Sequence, residues 1–514
     1  MNIMRPGIGK IWGINGPVLT VHTEKDHHFF VGEMVKVGNP VIFGEVIALG
    51  PNTATVQVYE STSGLTPDML VEGQGKPLSI TLHPGIVGHI FDGVMNRLDE
   101  EVAKTWDVNV LVKTGQFISE GDIFAETNET AAITYKATVP PNISGIVKNC
   151  AKNGAYAVDQ EIVTIETSTG IIPLSLTQIW PIRFPRPVRK HKPITCPLIT
   201  GQRVIDSLFP IAKGGVAAIP GGFGTGKTMT QHQLAKFCDA DLIVYIGCGE
   251  RGNEMTEVLE DFAKLTDPRT NQPLLARTIL IANTSDMPVA AREASIYTGI
   301  SIAEGYRDMG YHVALMADST SRWAEALREL SGRLGEIPME EGYPAYLATR
   351  LSAFYGRAGY VQNLNGTEGS ITIVGAVSPQ GADFSEPVTQ HTKRFVRTFW
   401  ALDRSLAYAR HYPAIHWMQS YSGYLDDLEN WYYKISPKFI KYRNKIIKIL
   451  QEEHKLLEIV KLIGTDALAP NQQEILKLAK QIRENFLQQN AYDPSDTFTP
   501  IKEQFNLMEK ILGE

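Results

Sequence analysis

A chain of 514 residues, 43% hydrophobic and 20% charged, has the composition of an ordinary folded protein with room for about three domains. Its formal net charge of −7 gives no electrostatic basis for a nucleic-acid partner. Four cysteines without CxxC or Cys/His spacing suggest neither a zinc site nor a disulfide framework, and they fit a reducing compartment. Nowhere do about 18 apolar residues run together, and Met1–Lys10 lacks the long apolar core of a signal peptide.

Residues 1–72 alternate apolar and polar positions in short runs, such as Pro17–Val21, Val41–Ile47 and Ala54–Tyr59, punctuated by glycine and proline. This pattern predicts a small antiparallel β-barrel with no catalytic constellation. Residues 73–99 read as a crossover into the main domain. From 100 to 185 the chain is again strand-rich, with Gly115, Gly121, Pro140, Pro141, Gly145 and Gly154 at its turns, which predicts an inserted β-rich module acting as a scaffold. The proline-punctuated stretch Trp180–Pro197 reads as an extended linker, and its basic cluster Arg183–Lys192 is expected on a solvated or subunit-facing surface.

Residues 186–425 contain apolar runs alternating with amphipathic segments, which predicts an α/β domain on a mostly parallel sheet. Its expected strands are Val216–Ile219, Leu242–Ile246, Thr278–Ala282, Val313–Ala317 and Ile371–Val377. Residues 426–514 show apolar positions at helical spacing, including Ile440, Ile447, Leu450, Leu457 and Val460, and predict a C-terminal helical domain.

Within the α/β domain, Gly221-Gly222-Phe223-Gly224-Thr225-Gly226-Lys227-Thr228 fits the phosphate-binding pattern G-x-x-x-x-G-K-[ST] at every fixed position. A short apolar strand precedes it and a helix containing Met229 follows, which is the context the loop requires. Its glycines let backbone N–H groups approach phosphate oxygens, Lys227 can neutralise the β and γ phosphates, and the Thr228 hydroxyl can ligate Mg2+. The apolar strand Tyr311–Asp318 delivers a carboxylate of the kind that reaches Mg2+ beside such a loop. An aspartate at a strand end says little alone, but paired with the loop in one domain it says much.

The strand Leu242–Ile246 leads to Glu250 and Arg251 in a glycine-containing loop. A carboxylate there can polarise an attacking water and an arginine can hold it or spread charge. Charged strand-end loops are common in α/β folds, so the residues alone leave the catalytic and the plain surface readings open.

Thr200–Asp206, Gly247–Met255, Asn283–Glu293, Met316–Ala326 and Pro413–Ser422 resemble, over nearly the whole chain, the catalytic A subunits of V-type and archaeal-type (A-type) rotary ATPases. The resemblance implies a multidomain α/β architecture: N-terminal β-barrel, inserted β-rich module, RecA-like P-loop domain and C-terminal helical domain. It implies ATP hydrolysis or synthesis, with ATP/ADP and Mg2+, at the interfaces of an alternating hexamer with a non-catalytic B-type subunit. That hexamer would surround a central rotor stalk, be held by peripheral stalk subunits, and be coupled to H+ or Na+ movement through a membrane sector. The chain would then be cytoplasmic, peripheral on the inner face of a membrane.

Carried over residue by residue, Lys227 binds phosphate, Thr228 and Asp318 serve the metal, Glu250 activates water and Arg251 supports it, while Tyr412 and Tyr492 line the adenine pocket. An arginine finger is expected from the neighbouring B-type chain, so the isolated chain should hydrolyse ATP poorly. Gly222 stands where bacterial relatives usually have proline, and Thr225 where eukaryotic ones often have cysteine. The inserted module is short, and the sequence ends after Phe505–Leu512, before the helices that usually close the C-terminal domain; altered stator and rotor contacts are the expectation. The rival readings are a homohexameric secretion- or helicase-type motor, the β chain of an F-type enzyme, and a non-catalytic nucleotide-binding assembly subunit.

Overall fold

A computed structural model describes residues 7–23, 28–99, 105–464 and 468–513. Six strands between Ile8 and Pro77 close into a barrel. Its interior is filled by the inward-facing members of the alternating runs, among them Leu19, Val21, Val35, Val46 and Val56. Closure pairs every barrel strand on both sides, which removes exposed edges.

The chain then forms the short strand Ser79–Leu82 and, after Ile90–Phe91 has joined the edge of the main sheet, enters the inserted module. The module holds two four-stranded sheets made from strands between Trp106 and Leu174. The return strand Gln178–Pro181 pairs antiparallel with Ser79–Leu82, in register from Leu82 opposite Gln178 to Ser79 opposite Pro181.

The central sheet runs in the order Tyr421–Ser422, Thr398–Phe399, Val216–Pro220, Glu368–Val377, His312–Asp318, Leu242–Glu250, Thr278–Thr284 and Ile90–Phe91. Along this order all neighbours are parallel except the first pair, and Gly359–Gln362 is added antiparallel beside Glu368–Val377. The five expected strands all form. Their residues are buried on both faces, which is why they read as continuous apolar runs. Helices α1 (Lys227–Phe237), α2 (Gly252–Lys264), α3 (Val289–Asp308) and α4 (Thr320–Arg333) flank the sheet. The C-terminal part is helical, with Leu425–Ile435, Phe439–Ile463, Pro470–Ile482 and Ile501–Leu512. No helix among the described residues is long and apolar enough to cross a membrane.

The linker corrects one expectation. Trp180–Pro197 is extended, but its first two arginines, Arg183 and Arg186, turn inward rather than forming a solvated surface. Arg183 bridges Glu45 of the barrel (2.7 Å) and Glu293 of α3 (2.8 Å), and Arg186 pairs with Asp308 at the end of α3 (2.6 Å). Helix α3 is buried on nearly all sides and carries Glu293, Glu304 and Arg307 into the interior. Buried charges need partners: the linker supplies Arg183 to Glu293, whereas Glu304 pairs with Arg357 (2.5 Å) and Arg307 with Asp308 (2.6 Å). The distal residues Arg189 and Lys190 remain exposed.

Candidate active site

The carboxyl ends of the parallel strands open onto one cleft of about 650 Å3. Ligands bind at this end of open α/β sheets, because loops there leave the sheet in opposite directions and helix N-termini converge. Gly226–Thr228 follow Val216–Pro220; Glu250 ends the second strand; Ser285, Asp318 and Ser378 end or follow three others, and all line the cleft.

The loop is built by local chemistry. Gly224 and Gly226 have φ of +75° and +90°, and the Thr225 hydroxyl donates to the Gly222 carbonyl (2.8 Å), turning the loop over itself. Gly221, Gly222 and Thr225 are therefore buried or turned inward, while Phe223, Gly224, Gly226, Lys227, Thr228 and Met229 face the cleft. Helix α1 begins at Lys227 with no side-chain cap and no acidic residue in its first turn, so its leading N–H groups and positive end remain available to an anion. Lys227 Nζ donates to the carbonyls of Gly221 (2.9 Å) and Gly222 (3.0 Å). Burial pushes its pKa down, opposed by Asp318 and Glu250.

Asp318 is 3% exposed and accepts from the Thr228 hydroxyl (2.9 Å) and the Tyr245 hydroxyl (3.1 Å). Its pKa is raised by burial, with those hydroxyls and Lys227 opposing. Glu250 is pushed up to about 8, first by burial, then by the Asp318 charge and a hydrogen bond with Glu254, while Arg322 lowers it.

The structure thus brings Lys227, Thr228, Glu250 and Asp318 into one cleft. Arg251 lines it too, but among the described residues it forms no ion pair with Glu250; the cation that acts on Glu250 is Arg322, itself paired with Glu325 (2.8 Å). Glu254, Arg292, Arg322 and Arg404 also line the cleft and were not anticipated. A signal existed for two of them: Glu254 and Arg322 each follow a strand-end carboxylate by four residues, within the first turn of the next helix.

Tyr412 and Tyr492 lie apart from this chemistry. They line an adjoining cavity of about 480 Å3 with Arg410 and Gln488, and that cavity shares Gly226 and Met229 with the cleft. Tyr492 is 83% exposed and Tyr412 40%.

This fold and cleft define a P-loop nucleotide-binding protein of barrel, β-sandwich, parallel-sheet and helical parts. Residues 201–422 match the nucleotide-binding domain of the ATP synthase alpha/beta family, and 11–75 match that family's beta-barrel domain. Residues 95–183 match the barrel-sandwich domain of the same alpha/beta chains, and 429–514 the C-terminal domain of V and A type ATP synthase. The V-type ATP synthase alpha chain 2 of Clostridium tetani is 57% identical over 98% of this chain and 88% of its own length. The V-type ATP synthase alpha chain of Halothermothrix orenii is 54% identical over 98% of this chain and 89% of its own length. The corresponding A-type ATP synthase chain of Methanopyrus kandleri is 53% identical over 98% and 88%. The chain belongs to the family of alpha, or A, subunits of V- and A-type ATP synthases. The assembled ATPase EscN of the enteropathogenic E. coli type III secretion system superposes with a TM-score of 0.72, over 98% of this chain and 100% of that one, at 22% identity; it shares the fold.

Proposed function

We propose that this chain is the catalytic subunit of a rotary ATPase, interconverting ATP with ADP and phosphate. The observation that carries the reading is the 2.9 Å contact between Thr228 and Asp318 in the cleft that also holds Lys227 and Glu250. A purely structural nucleotide site has no use for a second carboxylate, Glu250, beside the phosphate loop.

The N–H groups at the start of α1 and the Lys227 ammonium would take the β and γ phosphates in place of the loop carbonyls. Thr228 and Asp318 would hold Mg2+: they present hard oxygen donors side by side, and the buried Asp318 carboxylate is otherwise bonded to neutral hydroxyls, which fits a divalent cation. Bound there, Mg2+ would neutralise phosphate charge. Glu250, with a proton affinity near the operating pH, would take the proton of the attacking water. Arg322 would favour its charged form, and Arg251 would face developing charge across the cleft. Tyr412 and Tyr492 would hold the adenine between aromatic faces.

In the assembled enzyme, a B-type non-catalytic subunit would supply the arginine finger. Rotor and peripheral stalks would link the hexamer to an ion-translocating membrane sector, placing the chain peripherally on the membrane's inner face. The shared fold with a secretion ATPase supplies the second reading, a homohexameric motor. The deciding experiment is Mg2+-dependent ATPase activity of the chain alone and with its B-type partner, with a Glu250→Gln control. Activity confined to the mixed hexamer, and falling by about 10²–10⁴-fold in the control with nucleotide binding retained, is expected. Full activity in a homo-oligomer would establish the second reading.

A further inference from the structure

Tyr492 sits on a loop that its own packing does not hold. Residues 490–495 are largely exposed, and the tyrosine ring itself is mostly in solvent. What fixes the loop is a set of polar ties converging on Arg203, which lies in the nucleotide-binding domain just before the π-helical turn Val204–Leu208 and is 5% exposed.

Arg203 Nε donates to the Phe486 carbonyl (2.7 Å), Nη2 to the Gln488 carbonyl (2.5 Å), and Nη1 to Asp496 Oδ1 (2.6 Å) and Thr499 Oγ1 (3.0 Å). The other Asp496 oxygen accepts from the Asn490 N–H (2.7 Å), closing the loop, and Asn490 Oδ1 accepts from the Tyr492 N–H (3.0 Å). Gln489 completes the arrangement. Its side-chain oxygen accepts from the Arg203 N–H (2.9 Å), its side-chain nitrogen donates to the Gly201 carbonyl (2.9 Å), and its N–H donates to the Tyr412 carbonyl (2.7 Å).

An apolar contact between the two segments would hold them together without fixing their relative position. A guanidinium with four directed bonds fixes both distance and orientation. Burying it costs desolvation energy, so the arrangement is better suited to specifying geometry than to adding stability. The segment it specifies lies against α1, the helix that carries the phosphate loop: Thr497 donates to Gln233 (3.0 Å), and Phe498 packs on Phe237 with ring centroids 5.6 Å apart.

We propose that Arg203 is a positioning residue for the base-side pocket, fixing the Gln488–Thr499 segment so that Tyr492 and Tyr412 line one cavity beside the phosphate loop. The proposal rests on the reading of these tyrosines as the adenine site. It assigns base affinity to a residue that lines neither the cleft nor the adjoining cavity.

The test compares two probes on the full chain, Mg-ATP and inorganic tripolyphosphate. The second engages the phosphate loop and has no base. Arg203→Lys and Asp496→Asn are expected to lower ATP affinity by about tenfold, the weight of one stacked base, and to leave tripolyphosphate affinity unchanged. Tyr492→Ala should show the same split. If Tyr492→Ala shows it and the other two bind ATP as the parent does, the adenine reading stands and the role of Arg203 is overturned. If Tyr492→Ala leaves ATP affinity intact, both readings fall. Equal loss of both probes in the Arg203 and Asp496 variants would make Arg203 a general structural residue and overturn the proposal.

Discussion

Gly222 and Gly226 belong to the same phosphate loop yet carry different burdens. Gly226 has φ of +90°, which an L side chain adopts at a cost of about 1–2 kcal/mol, and it caps the helix that would receive phosphate. Gly222 lies outside the left-handed region; a Cβ there would meet Ala382 Cβ at 3.2 Å and the end of the flexible Arg404 side chain at 3.3 Å. Gly222→Ala is therefore expected to change ATP affinity by less than about threefold, and Gly226→Ala to lower it by about tenfold or more, as read by nucleotide titration. The loop was legible in the sequence because its chemistry is local: spacing fixes which N–H groups meet. Arg183 and Arg186 were misread as surface because their partners Glu45, Glu293 and Asp308 are brought to them only by the tertiary fold. The same reason hid Arg322 as the cation acting on Glu250.

Helix α1 joins phosphate binding to the core through His232. That ring is wedged edge-on between Tyr245 (5.8 Å) and Phe262 (5.3 Å), and Tyr245 in turn bonds Asp318. Burial pushes the His232 pKa down to about 4. Because the unfolded chain takes up this proton near its ordinary value and the folded chain does not, the stability that neutral His232 contributes is present above about pH 6.5 and is lost as pH falls towards about 4, to the extent of about 3 kcal/mol. His232→Phe, an apolar ring for the same slot, should reduce the fall in thermal midpoint between about pH 7 and pH 4.5; an unchanged fall would remove His232 from the acid sensitivity. The strands of this layer were readable as apolar runs. Helix α3 was less so, because its small residues mixed with buried Glu293, Glu304 and Arg307 look half-exposed until their partners are in place.

At the scale of the whole molecule, the cleft holds the glycine-rich loop, Asp318 and Glu250, and it gathers arginines from α3, α4 and the connection between Thr398–Phe399 and Tyr421–Ser422. In the proposed enzyme one further arginine comes from outside. The purified chain is then expected to bind Mg-ATP while turning over slowly, and to gain activity on adding the B-type partner, as a phosphate-release assay with mass measurement of the assemblies would show. The order of barrel, inserted module, nucleotide domain and helical cap was legible from changes in hydrophobic period. The ties across those units were not, since Arg203 reaching the 486–499 segment and Arg183 reaching the barrel leave no local pattern.

The antiparallel ribbon of Ser79–Leu82 with Gln178–Pro181 has a different kind of consequence. It joins the chain before its departure for the inserted module and after its return, so residues 83–177, with Ile90–Phe91 held at the edge of the main sheet, form a loop whose ends are already joined. Closing such a loop becomes only slowly harder with length, by about 0.6 kcal/mol per doubling. Added length on the module's outer turns is thus cheap, while its inner face, where Glu129 meets Tyr306 and Thr134 meets Tyr311, stays tied to the body beneath it.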